Sequence, residues 1–438
     1  MAAVATPPGR GGIGVVRVSG SGVRALAERM IGAVPPPRRA HLVDFTDATG
    51  AAIDRGLALF FPAPGSYTGE DVLELQGHGG PLVMQMLLRR CVELGARIAQ
   101  PGEFTRRAFL NERLDLAQAE SVADLIDASS VEAARSAARS LAGEFSRRIH
   151  ALVAGLMELR VHVEACIDFP EEEIDPDDIA AQARKLASLQ RTLDGIISSA
   201  AQGVVLREGL TVVIIGRPNV GKSSLLNRMA GEEIAIVTAI AGTTRDYVRA
   251  TISLEGVPIH LVDTAGLREA TDEVERLGVE RSWRAVDSAG AVLFVSDSED
   301  GARSDAELIA RVPAEMPIAR VINKADLTGH TPGRSAAAGC PVFATSALTG
   351  AGVDALESWL LEAAGWKPHG EGLFMARERH LTALRAAQAA LALASTTQAF
   401  ELKAEELRLA QAALGSITGE VSADDLLGAI FSSFCIGK

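Results

Sequence analysis

One octapeptide constrains this chain more than any other feature. Gly216-Arg217-Pro218-Asn219-Val220-Gly221-Lys222-Ser223 reads G-x-x-x-x-G-K-S. It follows the apolar run Thr211 to Ile215 and leads into Ser224-Leu225-Leu226, which continues as a helix. Strand, glycine-rich loop and helix in that order make a cradle for phosphate. The glycines let backbone N–H groups wrap the oxygens, and the helix N-terminus adds its positive dipole end. Lys222 then reaches the β- and γ-phosphates, and the Ser223 hydroxyl ligates Mg²⁺. Such a loop needs a buried parallel strand behind it, which predicts a doubly wound α/β domain.

The surrounding sequence supplies that domain. Ile259 to Val262, Ala291 to Val295, Ile318 to Ile322 and Val342 to Ala344 are further short apolar runs separated by helix-like segments, so residues 206–365 read as one doubly wound unit. Helical pattern flanks it at 113–205 and 366–438. Leu141, Phe145, Ile149, Leu152, Leu156, Leu159, Val163 and Ile167 recur at steps of three and four, which predicts one long helix with a single apolar stripe. The acidic residues Glu171, Glu172, Glu173, Asp175, Asp177 and Asp178 read as a solvated loop running into a helix N-terminus, in preference to a metal site. Residues 1–112 are mixed α/β, with strand-like runs at Ile13 to Val18, Leu57 to Phe61 and Asp71 to Leu75. Gly79-Gly80-Pro81 opens a helix that Gly95 closes, which suggests a compact module with one good helix between strands. The fold class is therefore multidomain α/β plus all-α, and 438 residues is ample for it.

Composition narrows the function. The net charge of −13 does not by itself point to a broad nucleic-acid grip, and it leaves local basic patches open. Cys91, Cys166, Cys340 and Cys435 are scattered, without a C-x-x-C pair, which fits a reducing cytoplasm. No run of 18 apolar residues and no secretory leader are visible. Only six of the 43 basic residues are lysine, and two of those, Lys222 and Lys324, stand in nucleotide motifs.

Those motifs continue downstream in order. Asp263-Thr264-Ala265-Gly266 ends a strand: Asp263 suits the Mg²⁺ water shell and the Gly266 amide suits the γ-phosphate. Asn323-Lys324-Ala325-Asp326 ends another, where a carboxylate pairs with guanine N1–H and the 2-amino group, which adenine lacks. Ser346-Ala347-Leu348 follows a third and suits a loop closing on guanine O6. Together they resemble the Ras-like, translation-factor-related GTPases. In Gly242-Thr243-Thr244-Arg245-Asp246, Thr244 is placed to fold over Mg²⁺ as a switch residue. The residue after Gly266 is Leu267, where Ras-type enzymes carry a water-orienting glutamine, so hydrolysis needs another arrangement. Arg268, Glu269, Asp272, Glu273, Glu275 and Arg276 are the local candidates. Asn219 offers a hard side-chain oxygen for an alkali cation, and Thr238-Ala239-Ile240-Ala241-Gly242-Thr243 offers carbonyls to the same ion.

The rest of the chain carries a more specific resemblance. Ala5-Thr6-Pro7-Pro8-Gly9-Arg10-Gly11-Gly12, Thr68-Gly69-Glu70-Asp71, Leu75-Gln76-Gly77-His78-Gly79-Gly80, Pro101-Gly102-Glu103-Phe104 and Asp115-Leu116-Ala117-Gln118-Ala119-Glu120 occur together, and the C-terminus reads Phe431-Ser432-Ser433-Phe434-Cys435-Ile436-Gly437-Lys438. This set resembles the bacterial MnmE (TrmE) family of tRNA modification GTPases over essentially the whole chain. Relatives usually carry a few more residues before the Ala-Thr-Pro-Pro-Gly-Arg run, which implies a clipped first strand or a misplaced start.

The resemblance implies an N-terminal domain that dimerises and binds 5-formyl-tetrahydrofolate or a related reduced folate. It implies a helical domain split by the inserted G domain. The partner it implies is the flavoprotein MnmG, in a heterotetramer that modifies C5 of the wobble uridine in certain tRNAs. Arg17, Glu74, Arg113 and Lys438 match folate-contacting positions, with Arg113 standing where relatives often carry lysine. Read from the residues alone, Arg17 and Glu74 read first as a core-edge salt bridge, and His78 reads first as a turn residue. Cys435 matches the family's C-terminal cysteine, either a functional thiol beside a one-carbon donor or a structural tail residue. The resemblance also implies K⁺ at Asn219, Thr238, Ile240 and Thr243, bound as two G domains dimerise across their nucleotides, with Glu275 orienting water beside the catalytic Lys222 and Thr244. The expected GTP-binding set is Asn219, Val220, Gly221, Lys222, Ser223, Ser224, Thr238 to Thr244, Asp263 to Gly266, Asn323 to Asp326 and Ser346 to Leu348. Two alternatives share these motifs. A ribosome-assembly GTPase of the Era type would need an appended RNA-binding domain, and no KH-type GXXG region follows residue 365. The other is a folate sensor that uses GTP as a switch.

Overall fold

The computed structural model describes residues 1–168, 175–217, 219–230, 248–263, 283, 285–297, 309–337, 340–367, 372–420, 424–432, 434–435 and 437. The chain divides into two compact units. One comprises Met1–Ala123, Leu141–Asp175 and Ala390–Lys438, the other Asp124–Ser140 and Pro176–Ala389.

The first unit begins with a five-stranded antiparallel sheet. Its strands are β1 (Ala2–Val4), β2 (Gly11–Ser19), β3 (His41–Thr46), β4 (Ala52–Phe61) and β5 (Val72–Gly79), in the order β1-β2-β5-β4-β3. Val16, Val18, Phe45, Phe60, Leu73 and Leu75 from the sheet form one buried cluster with Leu26 and Met30 of α1 (Val23–Ile31) and Met84, Leu87 and Cys91 of α2 (Pro81–Glu93). Burial pushes the Cys91 thiol up to about 12, so it stays protonated and behaves as a small apolar side chain.

The sequence predicts one helix between the strands of this module, and the structure corrects that. α1 lies between β2 and β3, α2 follows the last strand, and α3 (Glu103–Leu110) comes after it. α1 buries Val23, Leu26, Ala27 and Met30 at helical spacing, but it has only nine residues and Gly20, Gly22 and Gly32 flank it, so turn chemistry masks its periodicity.

The predicted stripe from Leu141 to Ile167 is likewise two helices. Leu141 closes α5 (Val131–Leu141), Gly143 turns the chain at φ +81°, and α6 (Glu144–Asp168) starts afresh. From Phe145 to Val163 the stripe is buried as predicted. α12 (Phe400–Thr418) packs along α6, burying Leu407, Ala410, Leu414 and Ile417, and Arg160 Nη1 donates to Gln411 Oε1 at 2.8 Å. α13 (Asp424–Ser432) supplies Leu427, Ile430 and Phe431 to a cluster with Leu116, Ala119 and Phe434.

The second unit holds a seven-stranded sheet in the order β11-β12-β10-β9-β6-β8-β7. β6 (Leu210–Gly216), β8 (Val257–Asp263), β9 (Ala291–Ser296), β10 (Ile318–Ile322) and β12 (Cys340–Ala344) are its parallel strands. All five stand where the apolar runs predict them. β7 (Val248–Leu254) and β11 (Gly333–Ala337) are antiparallel edges that the sequence does not announce. β11 reads Gly-Arg-Ser-Ala-Ala, and an edge strand needs no apolar run to pair. The sheet buries both faces, Ile214, Leu261, Leu293 and Val321 on one and Val213, Val262, Val292 and Phe294 on the other. α8 (Lys222–Ala230), the short α9 (Ala325–Thr328) and α10 (Val353–Ala363) follow β6, β10 and β12. The fold is thus an N-terminal α/β module, helical segments and an inserted doubly wound G domain.

α7 (Pro176–Glu208) carries Asp177 and Asp178 in its first turn, as the dipole favours, and runs straight into β6. Its last turn meets the end of α4 (Leu116–Ile126) through a buried carboxylate. Asp124 Oδ1 accepts from Arg207 Nε at 2.9 Å and from Arg377 Nη2 at 2.8 Å. Arg207 lies just before the G domain, and Arg377 just before α11 (Glu378–Thr396), beyond it. One side chain, 6% exposed, therefore ties down both chain connections of the inserted domain. Asp124→Ala leaves two guanidinium groups without their shared anion and is expected to cost about 3 kcal/mol. A fall in the thermal transition of several degrees would bear this out, and an unchanged transition would contradict it.

Candidate functional site

The phosphate loop leaves the C-terminal end of β6 and enters α8, as its composition requires. Asn219 takes a left-handed backbone at φ +66°, and Gly221 follows at φ +91°. A Cβ at Gly221 would stand 2.3 Å from Asn323 Nδ2, so only glycine fits there. Val220 is buried, whereas Ser223 and Ser224 are exposed at the start of α8. Lys222 Nζ donates to the carbonyls of Gly216 at 2.9 Å and Arg217 at 3.0 Å. Its ammonium is thereby curled over the loop it belongs to, where phosphate oxygens would replace those carbonyls.

Asn323 ties this loop to the rest of the site. Its side chain is 1% exposed, and Nδ2 donates to the Val220 carbonyl at 3.0 Å. Its Oδ1 accepts from the Ala347 N–H at 3.1 Å. One planar amide thus bridges the phosphate loop and the 346–348 loop, using both ends of its dipole. Lys324, at φ +62°, donates from Nζ to the Asn219 carbonyl at 2.9 Å and to Asp297 Oδ2 at 3.2 Å. Ser346 Oγ donates to Asp326 Oδ1 at 2.5 Å, holding an exposed carboxylate at the open edge. Ala325 N–H donates to the Thr345 carbonyl at 3.0 Å, joining the ends of β10 and β12.

The structure therefore brings together Asn219, Val220, Gly221, Lys222, Ser223, Ser224, Asn323, Lys324, Ala325, Asp326, Ser346, Ala347 and Leu348. Asp263 closes β8 opposite Ile214 of β6, on the strand beside the one that feeds the loop. Thr238 to Thr244, Thr264, Ala265, Gly266, Leu267 and Glu275 lie outside the described residues. Among the described residues no group of three or more His, Cys, Asp or Glu is placed to hold a metal ion.

A second polar cluster lies in the N-terminal module. Arg17 on β2 stands directly across from Glu74 on β5, and its Nε donates to Glu74 Oε1 at 2.9 Å. The guanidinium carbon is 5.5 Å from the Tyr67 ring and 5.7 Å from the Phe104 ring, within cation–π reach of both. Burial raises the Tyr67 phenol above its ordinary value, and its hydroxyl is bonded to Thr105 Oγ1 at 2.8 Å. Arg113 is exposed, with its Cγ 3.3 Å from the position a Cβ on Gly69 would take. The tail approaches the same elements. Gly102 N–H donates to the Cys435 carbonyl at 3.3 Å, and Gly437 is buried against Val4. Cys435 itself is exposed with a free thiol, and Lys438 lies outside the described residues. His78, which the sequence reads first as a turn residue, instead lies in β5, and its Nδ1 is 2.8 Å from Asp54 Oδ1 on β4. The aromatic walls Tyr67 and Phe104 escape sequence reasoning. Tyr67, one of two tyrosines in the chain, immediately precedes the Thr68-Gly69-Glu70 motif, and that rarity was the available signal.

Residues 116–435 match the model of the MnmE helical domain, and residues 1–113 match that of the GTP-binding protein TrmE N-terminus. The chain is 59% identical over 442 residues to a tRNA modification GTPase MnmE of Azoarcus sp. (strain BH72), covering 100% of this chain and 98% of that protein. It is 58% identical over 457 residues to the protein of the same name from Ralstonia nicotianae, covering 100% and 96%. Among solved structures it is similar to an Aquifex aeolicus Era variant bound to GDP and AlF4⁻, at 27% identity and a TM-score of 0.28, over 42% of this chain and 67% of that one.

Beneath the Arg17 cluster, Glu103 fixes the N-terminus of α3. It accepts from Arg97 Nη1 at 2.8 Å and from the Gln100 N–H at 2.8 Å. Burial alone would raise its pKa, but the Arg97 bonds, the Gln100 amide and the charges of Arg97 and Arg107 outweigh burial and hold it below 4.5. A carboxylate depressed in the folded state stabilises above its unfolded pKa and loses that contribution as pH falls through the folded one. The gap in melting temperature between the parent and Glu103→Gln should be full above pH 4.5 and close as the medium is acidified below it. A gap that stays constant down to strongly acid pH would contradict this.

Proposed function

The chain belongs to the MnmE family of tRNA modification GTPases, and from that premise we propose that it hydrolyses GTP to drive modification of C5 of the wobble uridine in certain tRNAs, working with an MnmG flavoprotein. The observation that carries the reading is the bridge made by Asn323. It holds the phosphate loop after β6 and the 346–348 loop after β12 together at the C-terminal ends of the parallel strands. Lys222 supplies positive charge to the β- and γ-phosphates. Asp326 selects guanine through N1–H and the 2-amino group, and the 346–348 loop closes on O6.

Ser223 has the exposed hydroxyl at a helix N-terminus that a Mg²⁺ ligand needs, and with Thr244 it would hold the ion, with Asp263 in the ion's water shell. Mg²⁺ neutralises charge between the phosphate oxygens. Leu267 cannot orient water, so Glu275 takes that role. Asn219, exposed on a left-handed turn, would hold K⁺ with Thr238, Ile240 and Thr243 as two G domains pair. In the N-terminal module, Arg17, Glu74 and Arg113 surround a reduced folate together with the Lys438 tail, and the Tyr67 and Phe104 rings suit a flat pterin. Cys435 would stand near the one-carbon unit.

Two measurements test these readings. Nucleoside mass spectrometry of tRNA from cells lacking this chain should show the C5 group missing from the wobble uridine. Cells making a chain without residues 435–438 should show the same loss while the purified variant still turns over GTP. A wobble uridine that keeps its C5 group in the deletion strain would sink the tRNA reading. For the cation, GTP turnover should be much faster in KCl than in NaCl at matched ionic strength, with Asn219→Ala erasing the difference. Lys222→Ala should reduce turnover by about 100-fold or more. Equal rates in the two salts, at protein concentrations that support dimers, would refute the K⁺ assignment.

A further inference from the structure

Arg228 lies on the exposed side of α8, outside every nucleotide motif read from the sequence. Its Nε donates to the Ala347 carbonyl at 2.9 Å, and its Nη2 donates to the Leu348 carbonyl. These two N–H groups form one edge of the guanidinium, a fork whose spacing matches two neighbouring acceptors. The side chain runs beside Gly350, whose would-be Cβ lies 3.9 Å from Arg228 Cδ. One cation on the helix that follows the phosphate loop therefore clasps the outer edge of the base-facing loop. That edge is otherwise open, since Leu348 is 76% exposed.

The clasp determines where the loop's amides point. In a planar trans peptide the N–H points opposite to the C=O of the same unit. Drawing the Ala347 carbonyl towards α8 turns the Leu348 N–H away from it. Drawing the Leu348 carbonyl the same way turns the Thr349 N–H inward, where it donates to Ser346 Oγ at 3.2 Å. Ser346 Oγ donates in turn to Asp326 Oδ1 at 2.5 Å. Arg228, the Leu348–Thr349 peptide, Ser346 and Asp326 thus form one connected chain of bonds. Asn323 holds the same loop from within through the Ala347 N–H, so the two anchors act on opposite sides of it.

We propose that Arg228 is a positioning residue for base recognition, which sets the 346–349 loop and the Asp326 carboxylate in the geometry that reads guanine. This rests on the assignment of the site to GTP. A lysine would not replace it, because a single ammonium cannot span both carbonyls in a fixed fork.

The test uses calorimetric titration of the full-length protein with two ligands. One is GDP. The other is purine riboside 5′-diphosphate, which keeps the ring, ribose and phosphates but has neither O6 nor the 2-amino group. Arg228→Ala should weaken GDP about tenfold and leave the purine riboside diphosphate within about twofold of the parent. Unchanged GDP affinity, or equal weakening of both ligands, would overturn the proposal, because the second pattern is general loosening of the site. A parent protein that binds the two ligands equally would instead overturn the guanine reading on which the proposal rests.

Discussion

Both halves of the nucleotide site depend on one buried side-chain amide. Asn323 gives its N–H to the phosphate loop at Val220 and its oxygen to the base loop at Ala347. Its own position is fixed by β10, because its backbone N–H donates to the Ser296 carbonyl at the end of β9 at 2.8 Å. Two neighbouring parallel strands therefore set where the amide sits, and the amide ties together two loops that are far apart in sequence. A carboxylate here could not donate to Val220 and an aliphatic residue could do neither, so the site would lose its span without the sheet changing at all.

The sheet has to be a dependable base for this, and its attachment reflects that need. Both chain connections of the inserted domain carry an arginine, and both arginines share Asp124. The hairpin between β7 and β8 is fastened as well. Ser130 Oγ donates to the Gly256 carbonyl at 2.6 Å, and Trp366 Nε1 donates to Glu255 Oε2 at 3.2 Å. In the N-terminal module a comparable economy appears, where Arg17 meets a carboxylate and two aromatic faces at once. A cation already paired and stacked is pre-organised.

Much of this was legible in the sequence because its signals are local. The five parallel strands are short, mainly apolar runs, and the phosphate-loop, 323–326 and 346–348 motifs follow three of them within a few positions. What stayed hidden depends on partners distant in the chain. Arg228 looks like any exposed helix residue until Ala347 and Leu348 are brought beside it, and Asp124 looks like a helix-end acid until Arg207 and Arg377 converge on it. β11 has no apolar run because an edge strand pairs through its backbone. α1 was obscured by the glycines around it, and the stripe through α5 and α6 concealed the turn at Gly143 because Leu141 falls at helical spacing by chance. The Arg17–Glu74 pair shows the limit most plainly. The sequence allows a salt bridge or a ligand anchor, and the structure shows the bridge, with the Tyr67 and Phe104 rings beside it.

The central claim is that the strand-end site reads guanine through Asp326. Replacing that carboxylate by an amide exchanges one acceptor for a donor and leaves the loop's shape alone. Titration of the parent and Asp326→Asn with GDP and with xanthosine 5′-diphosphate tests it directly. The account predicts that the parent prefers GDP and that the variant loses GDP affinity while gaining affinity for the xanthosine nucleotide. A variant that binds GDP as tightly as the parent would contradict it.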